Sequence, residues 1–183
     1  MDSIVSVPSN RSYWVIPGRL LAGYYPGDRN KTVMDIKLNA LLDCGIRTFI
    51  NLMEPGEVDH DGLEFNPYEE KLVSLAAIRG LKVSIYRHPV RDMGVPTREE
   101  MRQILDRIDE SLMRGLPVYV HCWGGRGRTG TVVGCWHARH SLGQGREILE
   151  IIRQLRKKDE KGNLPSPETE QQIRMVISWR LGE

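Results

Sequence analysis

A chain of 183 residues is long enough for one domain with a proper core, and it reads as a single unit over 1–183. Its 26 Lys and Arg stand against 24 Asp and Glu, a net charge of +2 with no clustered basic face, which excludes a nucleic-acid binder. Cys44, Cys122 and Cys135 are odd in number and far apart, so no disulfide framework is implied and a reducing cytoplasm suits them. No apolar run approaches the ~18 residues of a membrane span, and Met1–Asn10 lacks the charged and apolar regions of a secretion leader.

Residues 13–23 read as two short strands around a Pro17-Gly18 turn, with Trp14 as a core or edge anchor. The Tyr24-Tyr25-Pro26-Gly27 loop leads to Asp28, read as the cap of a helix through Asp43. There Met34, Leu38, Leu41 and Leu42 keep helical spacing, and Gly45 stops the run. Arg47–Leu52 is the next strand and Glu54-Pro55-Gly56-Glu57 a turn. Asp59-His60-Asp61 carries metal-ligating residue types, but near-consecutive ligands without outside partners fit a solvated loop better. Tyr68 to Arg79 forms a helix ended by Gly80, and Leu81–Tyr86 a strand.

That strand leaves into His88–Pro96, which two prolines and a glycine hold as a loop with Asp92 at its middle. On its own Asp92 reads as a turn cap. Thr97-Arg98-Glu99-Glu100 is a capping box, opening a scaffold helix with an apolar stripe of Met101, Ile104, Leu105, Ile108 and Leu112. Gly115 ends it.

Pro117–His121 then reads as a buried strand and Thr129–Ser141 as a helix, so Cys122 sits where a strand ends. Between them lie Trp123, Gly124, Gly125, Arg126 and Gly127. Three glycines let successive N–H groups turn into one concavity, and the helix N-terminus beneath adds unpaired donors. Such a cup suits a phosphate dianion and stabilises a thiolate at its floor, while Arg128 can grip two oxygens of the anion. Cys122 alone would read as a small buried hydrophobe; with the glycines, Arg128 and Thr129 in register it reads as a nucleophile in a phosphoryl-transfer site. No lysine follows Gly130, which excludes a nucleotide-binding phosphate loop.

In the helix behind the loop, Gly130 and Gly134 lie four apart and read as a smooth face against the sheet, with Cys135 as a structural residue. Gly143 closes that helix. Ile148, Ile151, Ile152 and Leu155 mark another through about Lys158, and Ser166-Pro167-Glu168 reads as a helix start with Ser166 as N-cap. The element order gives a three-layer α/β/α domain around a mostly parallel sheet.

The stretch His121-Cys122-x5-Arg128-Thr129 resembles the signature of the cysteine-based protein tyrosine phosphatase superfamily, in particular its dual-specificity group. The likeness runs from about Trp14 to Trp179 and is specific at the two loops. It implies a general-acid Asp roughly thirty residues before the cysteine, where Asp92 stands, and a Thr129 hydroxyl bonded to Cys122. It further implies that His121 orders the loop, that residues 123–128 bind phosphate, and that a late-helix Gln leans over them. Gln172 takes that place, with Gln171 one residue away leaving the choice open. The implied reaction is phosphomonoester hydrolysis through a phosphocysteine intermediate, without metal or cofactor, in the cytoplasm. The compact size implies a pocket open to phosphoserine and phosphothreonine as well as phosphotyrosine in a protein.

Arg126 keeps a phosphoinositide or inositol polyphosphate substrate open, because phosphoinositide 3-phosphatases of the superfamily carry lysine there; Arg91 offers a second contact. The plainer reading has Arg126 facing solvent. A phosphate-binding pseudophosphatase is disfavoured, since nucleophile, arginine and acid are all present. A sulfur-transfer enzyme resembles this loop only loosely.

Overall fold

A computed structural model describes residues 6–183, so half of the Met1–Asn10 reading lies outside the described residues. Five strands, β1 (Ser12–Ile16), β2 (Leu20–Gly23), β3 (Thr48–Asn51), β4 (Ser84–Arg87) and β5 (Val118–His121), form one sheet in the order β1-β2-β5-β3-β4. Only β1 runs antiparallel, joined to β2 through the predicted turn; the other pairings are parallel. Every residue of β2, β3 and β5 is buried, as expected of strands covered on both faces.

The register matters more than the order. Gly23, Asn51 and His121 lie side by side, and Arg87 pairs with Asn51, so four parallel strands end at one edge. The loops beginning at Tyr24, Leu52, His88 and Cys122 therefore open at that same carboxyl edge, where open α/β sheets bind ligands.

Among the described residues six helices cover the sheet: α1 (Lys31–Asp43), α2 (Glu69–Ile78), α3 (Arg98–Met113), α4 (Gly127–Arg139), α5 (Glu147–Leu155) and α6 (Glu170–Ser178). α1 packs on α2, while α4 packs against α3, α5 and α6, giving the expected three layers. The capping box at Thr97 and Glu100 is formed in both directions, and the predicted apolar stripe of α3 is buried.

Several boundaries differ from the sequence reading. The α1 cap is Asn30, whose side chain takes the N–H groups of Thr32 and Val33; the Asp28 carboxylate instead accepts from the Asn30 backbone. β4 starts at Ser84 rather than Leu81, where Ser84 N–H finds the Arg47 carbonyl; it is an edge strand, only half-buried. α4 stops at Arg139 with Ser141 in the left-handed region, before Gly143. α6 starts at a Thr169–Gln172 capping box, because the Ser166 hydroxyl is spent on the Arg126 carbonyl. Gly130 and Gly134 face Ser166, Val176 and Ile152 rather than the sheet: a Cβ at Gly134 would lie 2.7 Å from Val176.

Candidate active site

The loop after β5 is shaped from outside. Its carbonyls at Trp123, Gly124 and Arg126 accept from the Tyr25 N–H (2.9 Å), the Arg11 guanidinium (3.0 Å) and the Ser166 hydroxyl (2.8 Å). In a trans peptide the N–H opposes the carbonyl, so outward carbonyls turn the N–H groups of Gly124, Gly125 and Gly127 inward. Gly125 has φ 71° and its would-be Cβ lies 2.6 Å from the backbone of Gly23, so only glycine fits.

Cys122 lies at the floor of this cup, 3% exposed, and the Thr129 hydroxyl donates to its sulfur at 3.1 Å. His121 is fully buried; its Nε2 is 2.7 Å from the Tyr68 hydroxyl and its Nδ1 3.3 Å from the Cys122 carbonyl. Burial pushes His121 down to about 3, partly countered by the bond to the Cys122 carbonyl. The neutral ring fits one tautomer: Tyr68 donates to Nε2, and Nδ1–H donates to that carbonyl. Such a ring holds the loop's first peptide and stays uncharged at working pH.

Arg128 is 3% exposed and met by acids from two other loops. Glu57 takes Nη1 and Nη2 at 2.7 Å each, the Val90 carbonyl accepts from Nη1 at 3.0 Å, and Asp92 stands 3.0 Å from Nη2. Burial disfavours the Arg128 charge, but the Glu57 hydrogen bonds and the charges of Cys122, Glu57 and Asp92 outweigh it and hold the cation firmly protonated. Glu57 was not among the residues singled out from the sequence. A carboxylate in a turn carries no signal of its own; placing it needs the strand order, which sets β3 beside β5.

Gln172 is fully buried and Gln171 exposed, which settles the choice between them for contact with the loop. A Cβ at Gly127 would lie 3.0 Å from the Gln172 amide. Trp123 packs against the His60 ring at 4.4 Å and edge-on to Phe65 at 5.3 Å, forming a wall of the cleft. Asp59 of the loop read as solvated is bound by Arg29 at 2.5 Å, and among the described residues no His, Cys, Asp or Glu cluster gathers to hold a metal. Arg126 does not face solvent freely: Glu168 pairs with it at 3.1 Å, and the Pro165 carbonyl accepts from its Nε at 3.2 Å. Arg91 is exposed, next in the chain to Asp92 at the rim of the cleft. Cys135 is wholly buried on α4, and burial raises its thiol well above the ordinary range.

The cleft over Cys122 has a volume of about 630 Å³ and brings Asp92, Trp123, Gly124, Arg126 and Arg128 together, with Tyr24, His60 and Phe65 as aromatic walls. A buried thiol, inward N–H groups, a fixed guanidinium and a half-exposed carboxylate in one cleft can bind a phosphate monoester, attack it and protonate its leaving group.

Residues 9–176 match the PTP-SAK family, the DSP-PTPase phosphatase domain of Swiss Army Knife proteins. A protein of Methanocaldococcus jannaschii, MJ0215, is 34% identical over 91 residues, covering 50% of this chain and 52% of that protein. Protein tyrosine phosphatase domain-containing protein 1 of Danio rerio is 30% identical over 98 residues, 51% of this chain and 13% of its own length. The chain thus matches about half or less of the length of these curated relatives. Among solved structures, kinase associated phosphatase superposes with a TM-score of 0.66 at 18% identity, covering 96% and 94% of the two chains. The active form of Tk-PTP gives 0.63 at 24% identity over 91% and 93%. PTPMT1 in complex with PI(5)P gives 0.65 at 20% over 92% and 93%. At these identities the structural likeness speaks for the fold.

Proposed function

The chain belongs to the PTP-SAK family of DSP-type phosphatase domains, and from that membership we propose that it hydrolyses phosphate monoesters through a phosphocysteine intermediate. The carrying observation is the placement of Cys122, Thr129, Arg128 and Asp92 on one cleft, with Thr129 3.1 Å from the sulfur and Asp92 3.0 Å from the guanidinium.

In the first step the Cys122 thiolate attacks phosphorus in line. The sulfur–phosphorus bond forms, the ester P–O bond breaks, and Asp92 gives its proton to the departing oxygen. The N–H groups of residues 123–128 and the Arg128 guanidinium hold the equatorial oxygens. In the second step water attacks phosphorus, Asp92 takes its proton, and the P–S bond breaks with the thiolate stabilised by Thr129. His121 and Gln172 are supports, and no metal or cofactor enters either step.

The substrate we favour is a phosphorylated protein, phosphotyrosine included, because Tyr24, His60, Phe65 and Trp123 offer apolar walls to an aryl group. A phosphoinositide or inositol phosphate is the second reading. PTPMT1 has been solved with PI(5)P, a further fold neighbour (TM-score 0.62, 14% identity) is the PP-IP phosphatase SIW14 of S. cerevisiae, and cations line the same cleft here. Most are already matched, however: Arg29 with Asp59, Lys37 with Asp28, Arg126 with Glu168 and Arg11 with Asp159. No helix among the described residues is long and apolar enough to cross a membrane, and a reducing cytoplasm would keep Cys122 a thiol.

Cys122→Ser should abolish turnover yet keep phosphate binding, since the cup and Arg128 remain. Rates on phosphotyrosyl, phosphothreonyl and inositol polyphosphate substrates, measured side by side with and without EDTA, decide the substrate class. Turnover surviving in Cys122→Ser, or a rate lost in EDTA and restored by a divalent ion, would refute the covalent mechanism.

A further inference from the structure

The loop carrying Asp92 is held from both sides before any substrate arrives. On its near side, the Val90 carbonyl accepts from Arg128 at 3.0 Å, and the N–H groups of His88 and Val90 bond to the carbonyls of Asn51 and Leu52. On its far side, two residues past Asp92, the Gly94 carbonyl accepts from Gln172 Nε2 at 3.0 Å. Between them the chain makes a tight turn, with Met93 at φ 60° and Gly94 N–H on the Arg91 carbonyl at 2.9 Å.

On its oxygen side the Gln172 amide has little left to offer a water molecule. Its oxygen accepts from the N–H groups of both Glu168 (3.0 Å) and Thr169 (3.1 Å), filling its two lone pairs. The opposite assignment of oxygen and nitrogen would set an oxygen against the Gly94 carbonyl and an amide nitrogen against two N–H groups, so the network fixes the orientation. An attacking water needs an acceptor to aim it, and this oxygen is spent.

We propose that Gln172 is a positioning residue for the acid, tethering the Asp92 loop to the first turn of α6 so that Asp92 stands ready beside Arg128. The inference rests on the phosphatase reading and sharpens it: Gln172 serves the phosphorylation of Cys122 and has no part in aiming water in the second step.

Gln172→Glu separates the tether from the cap. Its carboxylate still accepts the Glu168 and Thr169 N–H groups, and glutamate is the usual partner in a capping box, so α6 keeps its start. It has no donor for the Gly94 carbonyl. On aryl phosphates of poor leaving groups, kcat/KM should fall about 10- to 100-fold, a part of what a general acid supplies. On an activated aryl phosphate it should fall less than threefold, and in an Asp92→Ala background the substitution should cost nothing further. Amide exchange in residues 88–96 should quicken in Gln172→Glu, while Gln171→Ala, the exposed neighbour, changes neither exchange nor rate.

An initial burst of phenol with kcat independent of the leaving group would place Gln172 in the water step and overturn the proposal. So would unchanged exchange in residues 88–96, or equal losses on good and poor leaving groups. If the parent enzyme hydrolyses none of these esters, the phosphatase reading fails and the catalytic role of Gln172 fails with it, whereas the exchange comparison still reports the tether on its own.

Discussion

Arg128 shows why the free site is poised rather than open. Glu57 occupies the fork formed by Nη1 and Nη2, and Val90 takes the other N–H of Nη1. What remains for a phosphate is the edge made by Nε and Nη2, and Asp92 already stands 3.0 Å from that Nη2. An arriving dianion must therefore displace the carboxylate, which leaves Asp92 next to the ester oxygen it is proposed to protonate. Asp92→Ala should then do two opposite things. It should lower kcat by roughly 10²–10⁴ on poor leaving groups, and it should tighten inorganic phosphate severalfold by removing a competing anion. A variant that loses rate and also binds phosphate more weakly would show that Asp92 helps to hold the ground state. Arg128→Lys keeps the charge but cannot serve Glu57 and phosphate on separate edges, so it should be severely impaired. Near-normal kinetics in that variant would show that the planar fork is dispensable.

At the scale of elements, the readable features were local and the unread ones depended on neighbours. The strand–loop–helix around Cys122, the Thr97 capping box and the α3 stripe carry their signals within a dozen residues; the structure has the box and the stripe where capping and periodicity put them, and the helix after Cys122 two residues earlier, at Gly127–Arg139 rather than Thr129–Ser141. Asp92 could be placed only through the resemblance, and it does lie beside Arg128. Glu57 and the Gln172–Gly94 bond join segments far apart in the chain, 71 and 78 residues respectively, and no local pattern marks such a contact. The glycines of α4 depart from the sequence expectation for the same reason: their spacing is local, but what they face is set by α5 and α6. A methyl group on Gly134 would gain helix propensity of about 1 kcal/mol yet meet both Val176 methyls at 2.7 Å and Ile152 at 3.2 Å. Gly134→Ala should therefore destabilise the fold by about 1–3 kcal/mol, as overpacking does. Val176→Ala alone should cost a similar amount through its cavity. Together they should cost less than their sum, with a coupling of about 0.5–3 kcal/mol. Strict additivity in denaturant midpoints would show that α4 and α6 do not meet as closely as described.

For the molecule as a whole, two buried imidazoles make folding itself pH-dependent. His121 sits under the central strand's end and His137 inside α4, which are 0% and 5% exposed. Burial pushes them down to about 3 and about 4, with the neighbouring His140 adding to the effect on His137. Among the described residues neither ring nitrogen of His137 has a partner. In the unfolded chain both titrate near the ordinary ~6.5. From about pH 6.5 down to the folded values of about 4 for His137 and about 3 for His121, the unfolded state therefore binds protons that the folded state refuses. Stability is fully present above that window and falls as the pH drops through it, by up to about 1.4 kcal/mol per pH unit for each ring. His88, which burial and Arg107 shift in the same direction, adds to the slope. Because α4 begins at the phosphate loop, acid should abolish the proposed hydrolysis along with unfolding the chain, in one transition. His137→Leu removes an unpaired polar ring at similar size, so it should raise stability at pH 7 and remove one proton from the uptake. Denaturant midpoints of parent and variant from pH 7 to 4.5 give the slopes directly. Parallel lines, with the variant merely offset, would mean that His137 protonates as readily in the folded chain as in the unfolded one.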